Sequence, residues 1–367
     1  MNDVQLLTAV PSLIFSSQLP DITMTVSDDN EVEVSLETGG QPIFRAVHFP
    51  YGGQVTVHDL RSVVEYHLRQ QGKTFYKYVL KATHGADTST LCEFEVIFLE
   101  HLFTGDLDVF LRNNFLTNTS SKMTDEEAVE LLHLFVREEE HITVRYEIVS
   151  QYDGDDALLA VATETITAMA HDRVVALELS TALMRVMAEL PDNTKLLAYS
   201  VHAGQRAYTF YVAPDAPEVV LYCRNAFNVW ERCALHAVIT HRPKVERSIA
   251  VTHRLSTFYN QSNEKEYEVE TSGLTMEQAR WIEQLFYSHD VRMGRVQPDG
   301  SAGDFEPEQL SRILITDFDC QIHDRDGELN TVKFTYQYQD RRTYLPEEYL
   351  AKDYTRIFTE PYDPTFN

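Results

Sequence analysis

The chain contains the stretch Val57-His-Asp-Leu-Arg-Ser-Val-Val-Glu-Tyr-His-Leu68 and, 119 residues further on, the related stretch Ala176-Leu-Glu-Leu-Ser-Thr-Ala-Leu-Met-Arg-Val-Met187. In both, positions with the i, i+3, i+4, i+7, i+8 spacing of one helix face are mostly apolar. The matched positions, of which His67 is the weakest, are Leu60 with Leu179, Val63 with Ala182, Val64 with Leu183, His67 with Val186, and Leu68 with Met187. The spacing predicts one short amphipathic helix in each of two related units.

The segments that follow each predicted helix also correspond. Residues 75–80 and 93–98 have the composition of two strands around Gly85, and residues 196–201 and 207–212 have the same around Gly204. Each unit then ends on a similar segment, Phe110-Leu-Arg-Asn-Asn-Phe115 in the first and Tyr222-Cys-Arg-Asn-Ala-Phe227 in the second. Helix, hairpin and Arg-Asn-x-Phe recur in the same order, which indicates a duplicated domain.

Strands are also predicted before each helix, from apolar residues that alternate with polar ones. We therefore expect a β-rich α+β fold with two duplicated antiparallel-β domains, each carrying one short helix, over residues 1–118 and 119–229. The second would begin with a helical connector, because Thr124-Asp-Glu-Glu127 matches a capping box and an apolar stripe follows it. The predicted members of this apolar stripe are Ala128, Leu131, Leu132 and Phe135.

From residue 230 the pattern changes to that of a third antiparallel sheet with one helix, predicted over 230–342. Thr275-Met-Glu-Gln278 is a second capping-box pattern and precedes an apolar stripe. Strong strand patterns follow at 312–316 with 320–323 and at 331–338. The duplication itself predicts that the first two domains superpose, with Leu60 and Leu179 in equivalent buried sites.

The last 25 residues, 343–367, are predicted to form an extended arm. Three prolines disfavour a long helix or a central strand, yet aromatic residues recur every four or five positions, as a solvated tail would not show. We expect these rings to anchor the arm on a surface, either that of the third domain or that of a neighbouring subunit. They are Tyr344, Tyr349, Tyr354, Phe358, Tyr362 and Phe366.

Charge and composition exclude several classes of partner. Asp and Glu number 57 against 31 Lys and Arg, giving a net charge of −26, and no basic cluster offsets it. Such a chain repels nucleic acid and anionic membrane surfaces. The sequence shows no secretory leader and no apolar stretch long enough for a membrane span, so we expect synthesis and retention in the cytoplasm. The four cysteines are scattered, as is typical of reduced, buried thiols.

Motifs that carry chemistry are weak. Cys223, Cys233, His236 and His241 are the best metal candidates, but the spacing of the first pair does not suit zinc. Asp324-x-Asp326-Gly327 is only half of a calcium loop, which favours a solvated hairpin tip. No phosphate-binding loop, nucleophile elbow or His-Glu-x-x-His pattern occurs. We therefore expect a protein that is not an enzyme and needs no cofactor.

A family resemblance rests on Trp281-Ile-Glu-Gln-Leu-Phe286, on the strands 313–316 and 332–336, and on two earlier segments, Arg224-Asn-Ala-Phe227 and 245–249. These resemble the C-terminal part of tail-region and baseplate-region structural proteins of phages and prophages of gut Bacteroidota. The resemblance implies a tail, baseplate or connector component that forms a homo-oligomeric ring with copies of itself and binds other tail proteins. It also implies a place in the virion, with assembly in the cytoplasm of the bacterial host.

The recurring Arg-Asn pairs are candidates for contact with a neighbouring subunit. They are Arg112 with Asn113, and Arg224 with Asn225. The alternative is local, because Asn bonds nearby backbone in turns and Arg has many acidic residues to pair with. Two other functions stay open at this point: a carbohydrate- or receptor-binding module, which needs an exposed aromatic platform, and an enzyme on an all-β scaffold.

Overall fold

A computed structural model of the chain describes residues 4–137, 140–152, 156–168, 173–191, 193–252, 255–271, 273–294, 310–323 and 330–340. It is β-rich, with 58% strand and 14% helix, in several antiparallel sheets. The predicted α+β class is confirmed. In these ranges none of the helices has the length and apolar character that crossing a membrane requires.

The first unit packs two sheets face to face. A five-stranded sheet runs in the order β2-β8-β7-β4-β5, and a smaller one in the order β1-β3-β6. Both contribute to one apolar core, into which α1 inserts Leu60, Val64 and Leu68. The elements are β1 (Val4–Leu6), β2 (Leu13–Phe15), β3 (Ile22–Val26), β4 (Val32–Thr38), β5 (Gln41–His48), β6 (Gln54–Val57), α1 (Leu60–Gln70), β7 (Phe75–His84), β8 (Asp87–Ile97) and α2 (Leu107–Asn113).

The second unit repeats this plan. Its five-stranded sheet runs in the order β12-β11-β14-β15-β9, and β10 pairs with β13 in the facing sheet. Its core is again shared by both sheets and the helix. The elements are β9 (Ser121–Asp125), β10 (Val129–Phe135), β11 (Glu140–Tyr152), β12 (Leu158–Ala168), β13 (Val174–Ser180), α3 (Thr181–Met187), β14 (Thr194–Ala203) and β15 (Arg206–Ala213).

The two units correspond in every strand except β1, which has no counterpart in the second unit. In each large sheet the outermost strand, β2 or β9, is the only one that runs parallel to its neighbour, β8 or β15, and the other pairs are antiparallel. The helix enters at the same point, after β6 or β13. Gly85 and Gly204 occupy the same two-residue turn with φ of 62° and 64°, a left-handed conformation that favours glycine. The duplication predicted from the sequence is therefore present in the topology.

The predicted helical connector over 124–135 is wrong, because β9 and β10 occupy these residues as two strands around a turn. Thr124 does not cap a helix. Its hydroxyl is buried and donates to Glu130 Oε1 at 2.8 Å, while Asp125 accepts the N–H of Glu127 within the turn. Residues that resembled one apolar helix face are instead buried on both sides of β10, between the second unit and the third domain.

Two further correspondences proposed from the sequence need correction. Leu60 and Leu179 are both buried, but Leu60 is the first residue of α1, whereas Leu179 lies on β13, before Ser180 caps α3. The two Arg-Asn-x-Phe segments also differ. Residues 110–115 end a helix, while residues 222–227 end a strand of the third sheet. The two segments share residue types but not a backbone conformation.

The third domain is one seven-stranded sheet, in the order β17-β16-β20-β21-β22-β19-β18, with one helix packed on it. It begins at Val219, so the predicted boundary at 229/230 falls inside the hairpin of its first two strands. The capping box at Thr275 and Gln278 is confirmed. The elements are β16 (Val219–Arg224), β17 (Trp230–Leu235), β18 (Ala237–Thr252), β19 (Leu255–Thr271), α4 (Met276–Tyr287), β20 (Val291–Met293), β21 (Ser311–Gln321) and β22 (Thr331–Tyr338).

The third sheet is connected differently from the first two. In the duplicated units the first strands of two hairpins lie side by side, β4 with β7 and β11 with β14. In the third domain the last strands do so, β19 with β22. Only residues 267–270 of β19 pair with β22. Beyond them, residues 242–252 and 255–266 continue as a two-stranded ribbon.

Two sequence predictions fall outside the described residues. One is the hairpin tip at 324–329, which includes Asp324, Asp326 and Gly327. The other is the arm at 343–367 with all six of its aromatic residues.

Candidate functional site

The two duplicated units and the third domain meet in one shared apolar core. Phe15 of the first unit, Phe135 of the second and Phe227 of the third domain are each at most 2% exposed within it. Phe110 stacks on Phe227 with ring centroids 5.6 Å apart, and Phe75 lies 5.5 Å from Phe135. Close packing of this kind fixes the three parts relative to one another.

Asn228 links the third domain to the end of α1. It is fully buried and has φ of 60°, a left-handed conformation that asparagine tolerates better than most residues. Its Nδ2 donates to the carbonyl oxygens of Lys73 at 2.8 Å and Leu68 at 3.3 Å. The side chain thus satisfies carbonyl groups that the helix end and the following loop leave without an intrahelical donor.

Arg224 and Asn225, proposed from the sequence as subunit contacts, make bonds within the chain. The guanidinium of Arg224 lies over the ring of Trp230 at 4.2 Å. Asn225 Nδ2 donates to the carbonyl of Leu116 at 2.9 Å and to Glu231 Oε2 at 3.0 Å. These contacts match the local alternative. A role in binding a neighbouring subunit stays a prediction.

Arg112 and Asn113, the other pair, differ in burial, since both are exposed at the end of α2. Arg112 lines a groove of about 430 Å³ between the first and second units. Two more arginines line it, Arg137, which pairs with Asp108, and Arg206. The groove is a locally basic surface on a strongly acidic chain.

Arg206 also holds the two units together at this groove. Its Nε donates to the carbonyl of Leu111 at 3.0 Å, and its Nη2 donates to that of Phe135 at 3.2 Å. The first carbonyl belongs to α2 and the second ends β10. One side chain of the second unit therefore bonds the terminal carbonyl of a first-unit helix.

A buried charge network joins the second unit to the third domain. Lys122 Nζ lies 2.7 Å from Glu130 Oε2, and Arg232 Nη1 lies 3.1 Å from Glu130 Oε1. Arg232 also pairs with Asp125. All four side chains are at most 7% exposed, so each charge relies on its partner instead of water.

A fifth charge, Glu231, closes the network on the side of α4. Its Oε1 accepts the indole N–H of Trp281 at 3.0 Å and lies 3.9 Å from Lys122 Nζ. Lys122 in turn donates to the carbonyl of Arg232 at 2.9 Å and lies 5.7 Å from the Trp281 ring. Sequence reasoning missed this network. Its one signal was the presence of charged residues inside apolar strand patterns, at Glu130 and at Glu231-Arg232.

The network shifts the pKa values of the groups around it. Burial alone would raise the pKa of the Glu130 carboxyl, but Lys122 and Arg232 together hold it below its ordinary value. Burial, with Arg224 and Lys122 nearby, lowers the pKa of His133 to about 3. Glu130 is therefore ionised and His133 is neutral at pH 7.

The cavity beside this network is small. Its volume of about 10 Å³ has room for about one water molecule. It is lined by His133, Tyr208 and Trp230 among others. The network therefore lies within a domain interface, and the cavity beside it has no space for a substrate.

The four zinc candidates do not form one site. Cys223 and Cys233 are buried in the third core, and burial raises the pKa of both thiols. His236 is exposed and 3.5 Å from Glu218, while His241 packs against the ring of Tyr267. Over the described ranges, no group of three or more Cys, His, Asp or Glu side chains could hold a metal ion.

Aromatic side chains are exposed on the loop between β5 and β6. Tyr51 is 92% exposed and Phe49 is 73% exposed. Gly52 and Gly53 follow them with positive φ, which makes the tight turn. This loop is the clearest exposed aromatic feature of the first unit.

Comparison with known proteins identifies no family for this chain. No family model matches the chain, and no curated protein matches it. Among solved structures, one match is the crystal structure of Salmonella alpha-2-macroglobulin reacted with methylamine, at 9% sequence identity and a TM-score of 0.21. The alignment covers 73% of this chain but only 22% of that much longer one.

Proposed function

We propose that this chain is a non-enzymatic structural protein that works in an assembly. The observation that carries the proposal is the use made of its buried polar groups. Lys122, Glu130 and Arg232 join the second unit to the third domain, and Asn228 joins the third domain to the first. Groups that enzymes place in open clefts are used here to fix domains against each other.

A rigid arrangement of domains suits a component that transmits position and load between neighbours. Its relation to a phage or prophage tail, baseplate or connector rests on the sequence resemblance alone. In that setting the chain would form a homo-oligomeric ring in the virion and would bind other tail proteins. A net charge of −26 requires that such contacts be made through apolar or paired groups.

The proposal is tested by measuring mass in solution. Sedimentation velocity or mass photometry at micromolar concentration should give a dimer or a ring, alone or after mixing with proteins encoded by neighbouring genes. A chain that stays monomeric and joins no larger complex contradicts the proposal. Deleting residues 343–367 then asks whether the C-terminal arm is needed for assembly, with far-UV circular dichroism as the control for folding.

A carbohydrate- or receptor-binding module is the second candidate, favoured by the exposed rings of Phe49 and Tyr51. Aromatic faces of this kind stack on sugars and on apolar partner groups. Binding on a glycan array that Tyr51→Ala abolishes would favour this function. Tyr66→Ala is the matched control, because Tyr66 is 67% exposed but lies on α1, away from the loop. If no glycan on the array is bound, carbohydrate binding is contradicted as a function.

A further inference from the structure

In the part of the chain that the structure describes, each of the three large sheets ends on one side in a long strand. β5, β12 and β18 are these strands, and each pairs with a strand on one side only. The opposite ends are the shorter strands β2, β9 and β17, of which β17 lies against both β9 and β10. An open strand presents unpaired N–H and C=O groups to any other strand, so proteins usually protect such edges.

Two of the three edges carry recognisable protection. β5 contains Pro42, which donates no backbone hydrogen bond, and Arg45, which is paired with Glu33 at 3.0 Å. β18 contains Pro243, and its register shifts between Ser248 and Ile249. Proline, charge and irregular register are all features that discourage pairing with another strand.

β12 lacks two of these features, proline and irregular register. Its sequence, Leu158–Ala168, has no proline and one ionisable residue, Glu164. It pairs with β11 without a register shift over its whole length. Glu164 accepts the hydroxyl of Tyr146, on the half-buried face. The exposed face begins with Leu159, 62% exposed, and Val161, 54% exposed, and continues with threonines.

We infer that the open edge of β12 pairs with β12 of a second copy of this chain, to join two five-stranded sheets into one. An identical strand laid antiparallel is self-complementary, as a two-fold contact requires. Centred on Ala160, the pairing joins residues 158–162 of the two copies and sets Leu159 opposite the second copy's Val161. Apolar cross-strand pairs of this kind stabilise a sheet.

Charge favours a second copy over an unrelated partner. The exposed face of β12 has no acidic or basic residue, so it offers nothing to select a charged partner strand. The same lack of charge lets two copies of a chain with a net charge of −26 approach at this strip without opposing carboxylates.

The contact area sets the expected strength. One strand edge and three exposed apolar side chains, Leu158, Leu159 and Val161, bury well below the ~800 Å² per partner of a standard stable interface. The pairing is therefore weak and depends on concentration, which suits a contact reinforced by others in an assembly. This inference rests on the proposed assembly function and names one of its contacts.

Sedimentation velocity over a range of micromolar concentrations tests the pairing, combined with hydrogen–deuterium exchange at both ends of the range. Wild-type chain should associate as concentration rises, and amides within 158–162 should become protected at the same time. Val161→Lys should weaken association at least tenfold. Val251→Lys is the matched control, since Val251 is 74% exposed on the protected edge β18, and it should associate as the wild type does.

Each other outcome overturns the pairing in a distinguishable way. Association that Val161→Lys leaves unchanged removes the β12 contact but leaves the assembly function standing. Protection of 158–162 at every concentration means that the chain covers this edge itself, and deletion of 343–367 then shows whether the arm does so. A monomer that joins no partner protein contradicts both the pairing and the assembly function.

Discussion

At the scale of single residues, Lys122 lies at the centre of the buried charge network. It contacts Glu130, Glu231 and the carbonyl of Arg232, all in the interior. A buried charge network contributes little net stability when complete, because desolvation offsets attraction, but losing one member leaves another charge uncompensated. The effects of substitution should therefore be much larger here than at the surface.

Replacing Lys122 with methionine should lower the free energy of unfolding by about 3–5 kcal/mol, since Glu130 and Glu231 lose their shared cation. The measurement is denaturant unfolding monitored by fluorescence. Lys77→Met is the matched control, because Lys77 pairs with Glu93 on the surface at 2.7 Å, and it should cause little change. Equal losses of unfolding free energy in the two variants would mean that the buried network is no more sensitive to substitution than a surface ion pair.

His133 should make the protein less stable as the pH falls. Its pKa of about 3 lies below the ordinary histidine value of 6.5, so between these limits the unfolded chain binds a proton that the folded chain does not. Stability is therefore fully present above pH 6.5 and declines towards pH 3. His133→Gln should flatten the dependence of the melting temperature on pH between 7 and 5. Profiles that stay parallel at a constant offset would contradict this assignment.

At the scale of elements, hairpins and helices were predicted well where the pattern is local. The spacing of apolar residues indicated α1 and α4, and Gly85 and Gly204 marked the two equivalent turns. The prediction failed at 124–135, where Thr124 fits a capping box but its hydroxyl donates to Glu130 across a turn. The deciding partner, Arg232, lies more than a hundred residues away, and no local pattern encodes it.

The candidate site was also only partly predictable from local sequence patterns. The sequence singled out Asn225, but its partners Leu116 and Glu231 come from two different parts of the fold. The pairing of β19 with β22, in place of the order seen in the duplicated units, also depends on contacts distant in sequence. Strand composition predicts that a strand exists but not which strand lies beside it.

The capping box of α4 permits a test at this scale. Thr275→Ala removes the hydroxyl that accepts the N–H of Gln278, and it should cost about 1 kcal/mol of unfolding free energy. Thr240→Ala is the control, since Thr240 is exposed on β18. Chemical denaturation of both variants gives the comparison. A loss at Thr240 as large as that at Thr275 would show that strand propensity, and not the cap, dominates.

At the scale of the whole molecule, the shared core predicts that the three parts unfold together. Trp230 and Trp281, the only two tryptophans, both lie in the third domain, so fluorescence reports that domain while far-UV circular dichroism reports the whole chain. The two thermal transitions should coincide. Phe227→Ala should lower both transition temperatures together, because it removes about 3–5 kcal/mol of unfolding free energy. A fluorescence transition that precedes the other would mean independent domains.

The two-stranded ribbon of residues 242–252 and 255–266 has a mechanical consequence. At ~3.3 Å per residue it extends about 35 Å beyond the last strand pair that β22 supports. A force applied at its tip therefore acts on the third sheet through a lever arm longer than most strands in the molecule. Two-stranded ribbons carry a larger twist than wider sheets, so the ribbon can adopt twist that the seven-stranded sheet does not. Because β22 pairs with β19 only at residues 267–270, a change of twist in the ribbon enters the third sheet at that one place.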